Sequence, residues 1–246
     1  MSAQRRLVLI HGFTERPSMW DSLIAGLENS SITISTPSIP GHGDCLEIPG
    51  EHTAKSYCEA ILQQIPDDHL PLIVVGHSMG GYLASTLVRL IEPRIHALGF
   101  FHSKAGTDTI EKIEDRKRAI TAACQNKDLY LGNMLQNTLA EENRKLLSDE
   151  LANMIDQAKN DITSACIQAA QEVMIERPDN IAFLTQAQFP IYYFLGRQDK
   201  SIPLELMNAE LDALPQANIY IAETAGHMGH IECMQEALAW LKKICA

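Results

Sequence analysis

Residues 71–81 read Pro-Leu-Ile-Val-Val-Gly-His-Ser-Met-Gly-Gly. The apolar run after Pro71 has no polar alternation, which marks a strand buried on both faces. Directly behind it, GGYLASTLVRLIE (80–92) reads as a helix. A strand that passes through Gly-x-Ser-x-Gly into a helix holds its serine on a sharp turn with the hydroxyl exposed. Such a turn tolerates only small flanks, and Gly76 and Gly80 supply them. Gly81 lets the helix close on the sheet. Ser78 is therefore the candidate nucleophile. A phosphate-cradling loop would need Gly-Lys-Ser/Thr, which is absent.

Working outward, strands and helices alternate. RRLVLI (5–10), SITIST (31–36), RIHALGFF (94–101), FPIYYFLG (189–196) and ANIYIAE (217–223) read as strands. PSMWDSLIAGLE (17–28), HTAKSYCEAILQQI (52–65, with Thr53 as N-cap), PLELMNAELDAL (203–214) and IECMQEALAWLKKI (231–244) read as helices. This alternation implies βαβ units and an α/β fold with a mostly parallel central sheet flanked by helices. The stretch 104–188 breaks the pattern. It contains no strand signal and is rich in helix formers, with helices expected at 110–125, 127–137, 140–147, 149–176 and 178–185. The expected organisation is a core of 1–103 and 189–246 interrupted by a helical insertion of 104–188.

The formal net charge of -11 disfavours nucleic acid and anionic membrane surfaces, which both require basic patches. The apolar run behind Arg5-Arg6 stops at His11, too soon for a signal peptide, and no segment approaches a membrane span. The expectation is a soluble, cytoplasmic protein. Six scattered cysteines, at 45, 58, 124, 166, 233 and 245, form no CxxC pair and read as free thiols.

A nucleophilic serine needs a base, an acid to orient that base, and donors for an oxyanion. The loop after the first strand, His11-Gly12-Phe13-Thr14, can bring the Phe13 N–H beside that of Met79 as an oxyanion hole. His11 reads as structural. The base should be a late histidine on a loop, and His227 follows the last strand. His230 is the rival. His227-x-x-His230 with Glu232 lacks the HExxH spacing of a metal site, so neither metal nor other cofactor is expected. Asp199, behind the strand FPIYYFLG, completes the chain order Ser…Asp…His. Asp108 is the runner-up acid.

HGFT, PGHGD, GHSMGG, GRQDKSIP and AGHMGHIE, in this order, resemble the α/β-hydrolase superfamily over essentially the whole chain. The similarity is greatest to its esterase, C–C hydrolase and cofactor-free haloperoxidase-like branch. That resemblance implies a helical cap after the sixth strand, where 104–188 stands. It also implies that Ser78 attacks a carbonyl carbon, that His227 moves the proton, that Asp199 fixes the imidazole, and that Phe13 and Met79 hold the oxyanion. His42, within PGHGD, would be structural. The chain departs from the family where Asp44-Cys45 follows PGHG.

The expected partners are a small-molecule acyl substrate, namely an ester or thioester, and water. Two alternatives stay open: a C–C hydrolase or lyase with the same triad, and a ligand receptor on this scaffold. Cationic side chains facing the site from the insertion would favour the C–C reading, and Lys104, Arg116 and Arg118 are the candidates. Trp20, Phe101 and His102 are weaker pocket candidates. Met134, Met154 and Met174 read as helix core, with pocket lining as the alternative.

Overall fold

Six strands form one sheet in the order β2-β1-β3-β4-β5-β6, every adjacent pair parallel. They are β1 (Arg5–Ile10), β2 (Ile32–Ser35), β3 (Leu72–His77), β4 (Ile95–Phe101), β5 (Ile191–Gly196) and β6 (Asn218–Ala222). The structure is a computed structural model describing residues 4–27, 32–45 and 47–246. Glu28 and Ser31, read from sequence as part of the first helix and second strand, lie outside these.

Successive side chains of a strand face opposite sides of a sheet, and here each side is a separate core. Val8, Ile10, Val74, Leu98, Phe100 and Tyr193 face one side, against α2 (Ala54–Leu62) and α3 (Met79–Leu90). Leu7, Leu9, Ile73, Val75, Phe101 and Phe194 face the other, against α1 (Asp21–Ala25) and α12 (Met234–Cys245). Leu72 to Val75 are wholly buried, each contributing about 1.5–3 kcal/mol of apolar burial. That double burial explains the unbroken apolar run. Thr53 caps α2 through a reciprocal pair of bonds with Ser56.

Between β4 and β5 the described residues hold six helices and no strand: α4 (Ile110–Gln125), α5 (Lys127–Gln136), α6 (Asn143–Leu146), α7 (Ser148–Asp161), α8 (Ser164–Glu176) and α9 (Ile181–Leu184). The single helix expected over 149–176 is two. Ile162 and Thr163 are extended, Ile162 is buried in a third apolar cluster, and the Thr163 hydroxyl caps α8 by accepting from Cys166 N–H. The closing helix is also two, α11 (Gly229–Glu232) and α12, broken at Cys233, whose backbone (φ −146°, ψ 52°) is not helical. A short 3-10 turn and α10 (Asn208–Ala213) replace the one helix expected over 203–214. The insertion follows β4, the fourth strand of this sheet. Its apolar cluster includes Leu131, Leu135 and Leu139, and it takes in Met228 from the loop after β6.

Two features concentrate chemistry at one edge. All strands are parallel, so their C-terminal ends share that edge. The strand order also reverses around β1, which leaves a crevice between the ends of β1 and β3, where open α/β sheets bind ligands.

Candidate active site

Ser78 sits at the end of β3 with φ 49° and ψ −117°, a conformation costing a non-glycine residue about 1–3 kcal/mol. Two hydrogen bonds hold it there. Ser78 N–H donates to Phe101 O (3.1 Å) and Ser103 Oγ donates to Ser78 O (2.6 Å). A Cβ on Gly76 would collide with the Gly80 carbonyl, and one on Gly80 with the His11 carbonyl. Only glycine lets the turn close against β1.

Ser78 Oγ lies 2.8 Å from His227 Nε2, and His227 Nδ1 lies 2.7 Å from Asp199 Oδ2. A carboxylate can only accept, so Nδ1 carries the proton and Nε2 is free to receive the serine's. Asp199 Oδ1 accepts from the N–H groups of Ser201 (2.8 Å) and Ile202 (2.9 Å). Oδ2 meets a second imidazole, His102 Nδ1, at 3.3 Å. His102 Nε2 accepts Gly229 N–H (3.2 Å), which fixes its proton on Nδ1. Burial alone would raise the Asp199 carboxyl. His227 and His102 instead hold it well below the usual range. Burial keeps His102 neutral, lowering it to about 4.

His77, inside the elbow, is wholly surrounded. Its Nδ1 meets Glu15 Oε2 (2.7 Å) and its Nε2 meets the His227 carbonyl (2.9 Å). Both partners are acceptors, so His77 is an imidazolium ion-paired with Glu15. Burial opposes that charge, but Glu15 prevails and the His77 pKa is raised. Burial likewise opposes the carboxylate, and His77 brings Glu15 down to about 2. Glu15 Oε2 also accepts Gly12 N–H at 2.5 Å, securing the loop of Phe13. Neither Phe13 N–H nor Met79 N–H has an acceptor among the described residues.

The His227 loop is bound to the insertion. His227 N–H donates to Thr138 O (2.7 Å). The Glu232 carboxylate accepts from Gly226 and Met228 N–H (3.0 Å each), Ala140 N–H (2.8 Å) and Asn143 Nδ2 (2.9 Å). A cavity of about 270 Å³ opens over Ser78 and His227, with Phe13 and Tyr82 from the core and Lys112, Arg116 and Met134 from the insertion in its walls. A second, of about 440 Å³, adjoins it across Tyr82, Lys112, Asp115 and Ser201.

The remaining candidates fall elsewhere. Trp20 and Phe101 are wholly buried in the core on the far side of the sheet and line no part of the cavity. His102 is also absent from the wall, being turned onto Asp199. Asp108 binds Arg116 and Arg177 rather than a histidine. His230 does not bond Ser78, and burial lowers it to about 4. Met154 lines a separate cavity, while Met174 contacts Arg116. Lys104 bonds Thr107 O, and Arg118 is exposed. His11 bonds Gly12 O and Ile39 N–H, and His42 bonds Pro40 O. Asp44-Cys45 belong to a tight turn closed by Gly41 N–H on Cys45 O. His102, Asp199 and His227 offer three possible ligand atoms within 4.8 Å of one another, but these atoms are engaged in the hydrogen bonds above. The ion pair of His77, the second imidazole on Asp199 and the place of Lys112 in the cavity wall had no reading in the sequence. The partners lie far apart along the chain, and Glu15, three residues past Gly12, was the one local hint.

The profile of the Alpha/beta hydrolase family matches residues 7–239. The chain is 24% identical over 212 residues to a pimeloyl-[acyl-carrier protein] methyl ester esterase of Pseudoalteromonas atlantica, covering 81% of this chain and 78% of that one. It is 27% identical over 101 residues to methylesterase 7 of Arabidopsis thaliana, a match spanning 39% of each chain. A thermophilic esterase from Thermogutta terrifontis, solved with malate bound, superposes with a TM-score of 0.86 at 23% identity, over 99% of this chain and 92% of the other. With the family profile running from β1 into α12, the chain belongs to the α/β-hydrolase family and is a hydrolase.

Proposed function

We propose that this hydrolase cleaves small to medium carboxylic esters through a covalent acyl-enzyme on Ser78. One observation carries the reading: Ser78 Oγ, His227 and Asp199 form a continuous hydrogen-bonded chain, and Ser78 and His227 line a cavity together with Phe13. His227 Nε2 takes the serine proton as Oγ bonds to the ester carbonyl carbon. The carbonyl electron pair moves onto oxygen, where Phe13 and Met79 N–H receive it. Collapse of this intermediate breaks the bond to the alcohol, which leaves with the proton held on His227. Water, deprotonated by His227, then attacks the acyl carbon, and the acid departs with Ser78 restored. Asp199 keeps the imidazole in the required tautomer and stabilises its cation.

The insertion serves as a cap: it supplies most of the cavity wall and holds the His227 loop through Thr138. The relationship to ester-cleaving enzymes over four-fifths of the chain supports the ester assignment. The six thiols, none in a disulfide, suit a reducing cytoplasm, and no described helix is long and apolar enough to cross a membrane. A second reading, C–C bond hydrolysis or lysis by the same three residues, is favoured by the cations Lys112 and Arg116 in the wall.

Fluorophosphonate labelling, mass mapping and a chain-length series of 4-nitrophenyl esters test the assignment. Labelling at Ser78 and turnover that vanishes in a folded Ser78→Ala protein are expected. Retained turnover in that variant would falsify the nucleophile assignment. An acyl adduct trapped on Ser78 by rapid quench separates the ester reading from direct proton abstraction by His227.

A further inference from the structure

We infer that the cavity over Ser78 selects esters bearing a carboxylate remote from the scissile bond, held by Arg116 and Lys112. This deepens the ester-hydrolase reading and rests on it.

Lys112 and Arg116 stand one turn apart on α4 and both line the cavity that contains Ser78 and His227. Residues four apart share a helix face, where like charges repel. Arg116 is held rigidly behind the wall. Its Nε donates to Asp108 (2.5 Å), and its Nη1 to Gln171 Oε1 (3.1 Å) and to Met174 Sδ (2.9 Å). Nη2 has no partner among the described residues and is not sealed from solvent, which leaves it facing the cavity. The Lys112 ammonium has no carboxylate within 4.0 Å among the described residues. Two donors on one wall match the two oxygens of a carboxylate.

The local charge is unbalanced. Asp108 is shared by Arg116 (2.5 Å), Arg177 (2.7 Å) and Lys104 (3.6 Å), three cations on one carboxylate. The nearby Glu210 spends its oxygens on the N–H groups of Ala105 and Gly106 and on Tyr193 Oη. Asp115, the acidic residue of the wall, is paired with Arg118. Burial and the neighbouring Arg116 cation both lower the Lys112 pKa. A buried excess of positive charge is unfavourable until an anion enters. It stands in a chain of net charge -11, so overall composition does not explain it.

The test compares 4-nitrophenyl monoesters of succinate, glutarate and adipate with uncharged 4-nitrophenyl esters of equal acyl length. For at least one diacid, kcat/KM is expected to exceed that of its uncharged partner by tenfold or more. In Arg116→Gln that ratio is expected to fall at least tenfold, and in Lys112→Gln by a smaller factor. A ratio at or below one for all three diacids, or one that Arg116→Gln leaves unchanged, overturns the inference. If Arg116→Gln does not fold, the unaltered protein decides: glutarate must slow fluorophosphonate labelling of Ser78 more than glutaramide does, and equal effects overturn the inference. Labelling and turnover of uncharged esters without anion preference defeat only the carboxylate subsite. Absence of both labelling and turnover defeats the ester-hydrolase reading itself.

Discussion

His77 Nε2 lies 2.9 Å from the main-chain carbonyl oxygen of His227, while its Nδ1 meets Glu15 at 2.7 Å. The residue before the candidate nucleophile thus holds the backbone of the candidate base, and a buried carboxylate keeps it charged to do so. The loops after β1 and β6 meet the end of β3 in this one imidazolium.

Glu15→Gln removes one partner of that buried pair, which typically costs about 3–5 kcal/mol. The loss depends on pH in a definite sense. Glu15 is brought from 4.5 to about 2 in the folded chain, so its contribution is present above 4.5 and lost as pH falls toward 2. The His77 pKa is raised above 6.5, so its contribution is complete below 6.5 and lost as pH rises through the folded value. The stability gap between the unaltered protein and Glu15→Gln is expected to be widest between pH 4.5 and 6.5 and to narrow on the alkaline side. Urea denaturation across pH 5 to 9 measures it, and a constant gap would contradict the ion pair.

His102→Leu removes one donor from Asp199 and the acceptor of Gly229 N–H. A hydrogen bond to a charged group is worth about 1.5–3 kcal/mol, so kcat is expected to fall by roughly 12- to 160-fold. KM should stay within about twofold, because His102 is fully buried and lines no part of the cavity. A change in KM with kcat preserved would restore the pocket role that the sequence suggested. Steady-state kinetics with one activated ester distinguishes the two.

The parts of the fold and site legible in sequence were those carried by local patterns. Leu72 to Gly80 encode a buried strand, a turn only glycine can flank and a helix start within nine residues. Asp199 and His227 each follow a strand signal, and parallel strands bring such positions to one edge. What stayed hidden depends on which way a side chain turns. Phe101 ends β4 beside the site, yet it packs with Phe194 and Trp240 on the far face, while its neighbour His102 turns onto Asp199. Helix propensity is high on both sides of Thr163, so its cap decides only when Ile162 is drawn into the insertion's core. Arg116 and Arg118 are equally plausible pocket cations in sequence. Only the rotation of α4 buries the first and exposes the second.

Glu232→Gln is expected to disturb the base without touching substrate. The carboxylate accepts from three backbone N–H groups and one side-chain amide, and hydrogen bonds to a charged group are worth about 1.5–3 kcal/mol each. An amide presents only one acceptor oxygen, and its NH₂ opposes the remaining donors. A stability loss of at least about 2 kcal/mol by urea denaturation should accompany lower kcat at constant KM. Loss of stability with kcat intact would make Glu232 a fold element only.

The protein is expected to be unusually acid-labile, for a reason separate from any one site residue. His11, His42, His102 and His230 are buried, and burial lowers them to about 3, 4, 4 and 4. Unfolding releases each to its ordinary value of 6.5, so between roughly pH 6.5 and 4 the unfolded chain binds protons that the folded chain refuses. Stability then falls with pH by up to about 1.4 kcal/mol per unit for each histidine. The raised pKa of His77 acts in the other direction, but above pH 6.5, where it does not offset this loss. Urea midpoints at pH 7 and pH 5 should therefore differ strongly, and His42→Asn should lower the slope by one proton. His42 is the informative choice because, among the described residues, its side chain makes one hydrogen bond, to Pro40 O. A slope below one proton in the unaltered protein would mean that these histidines are protonated in the folded state.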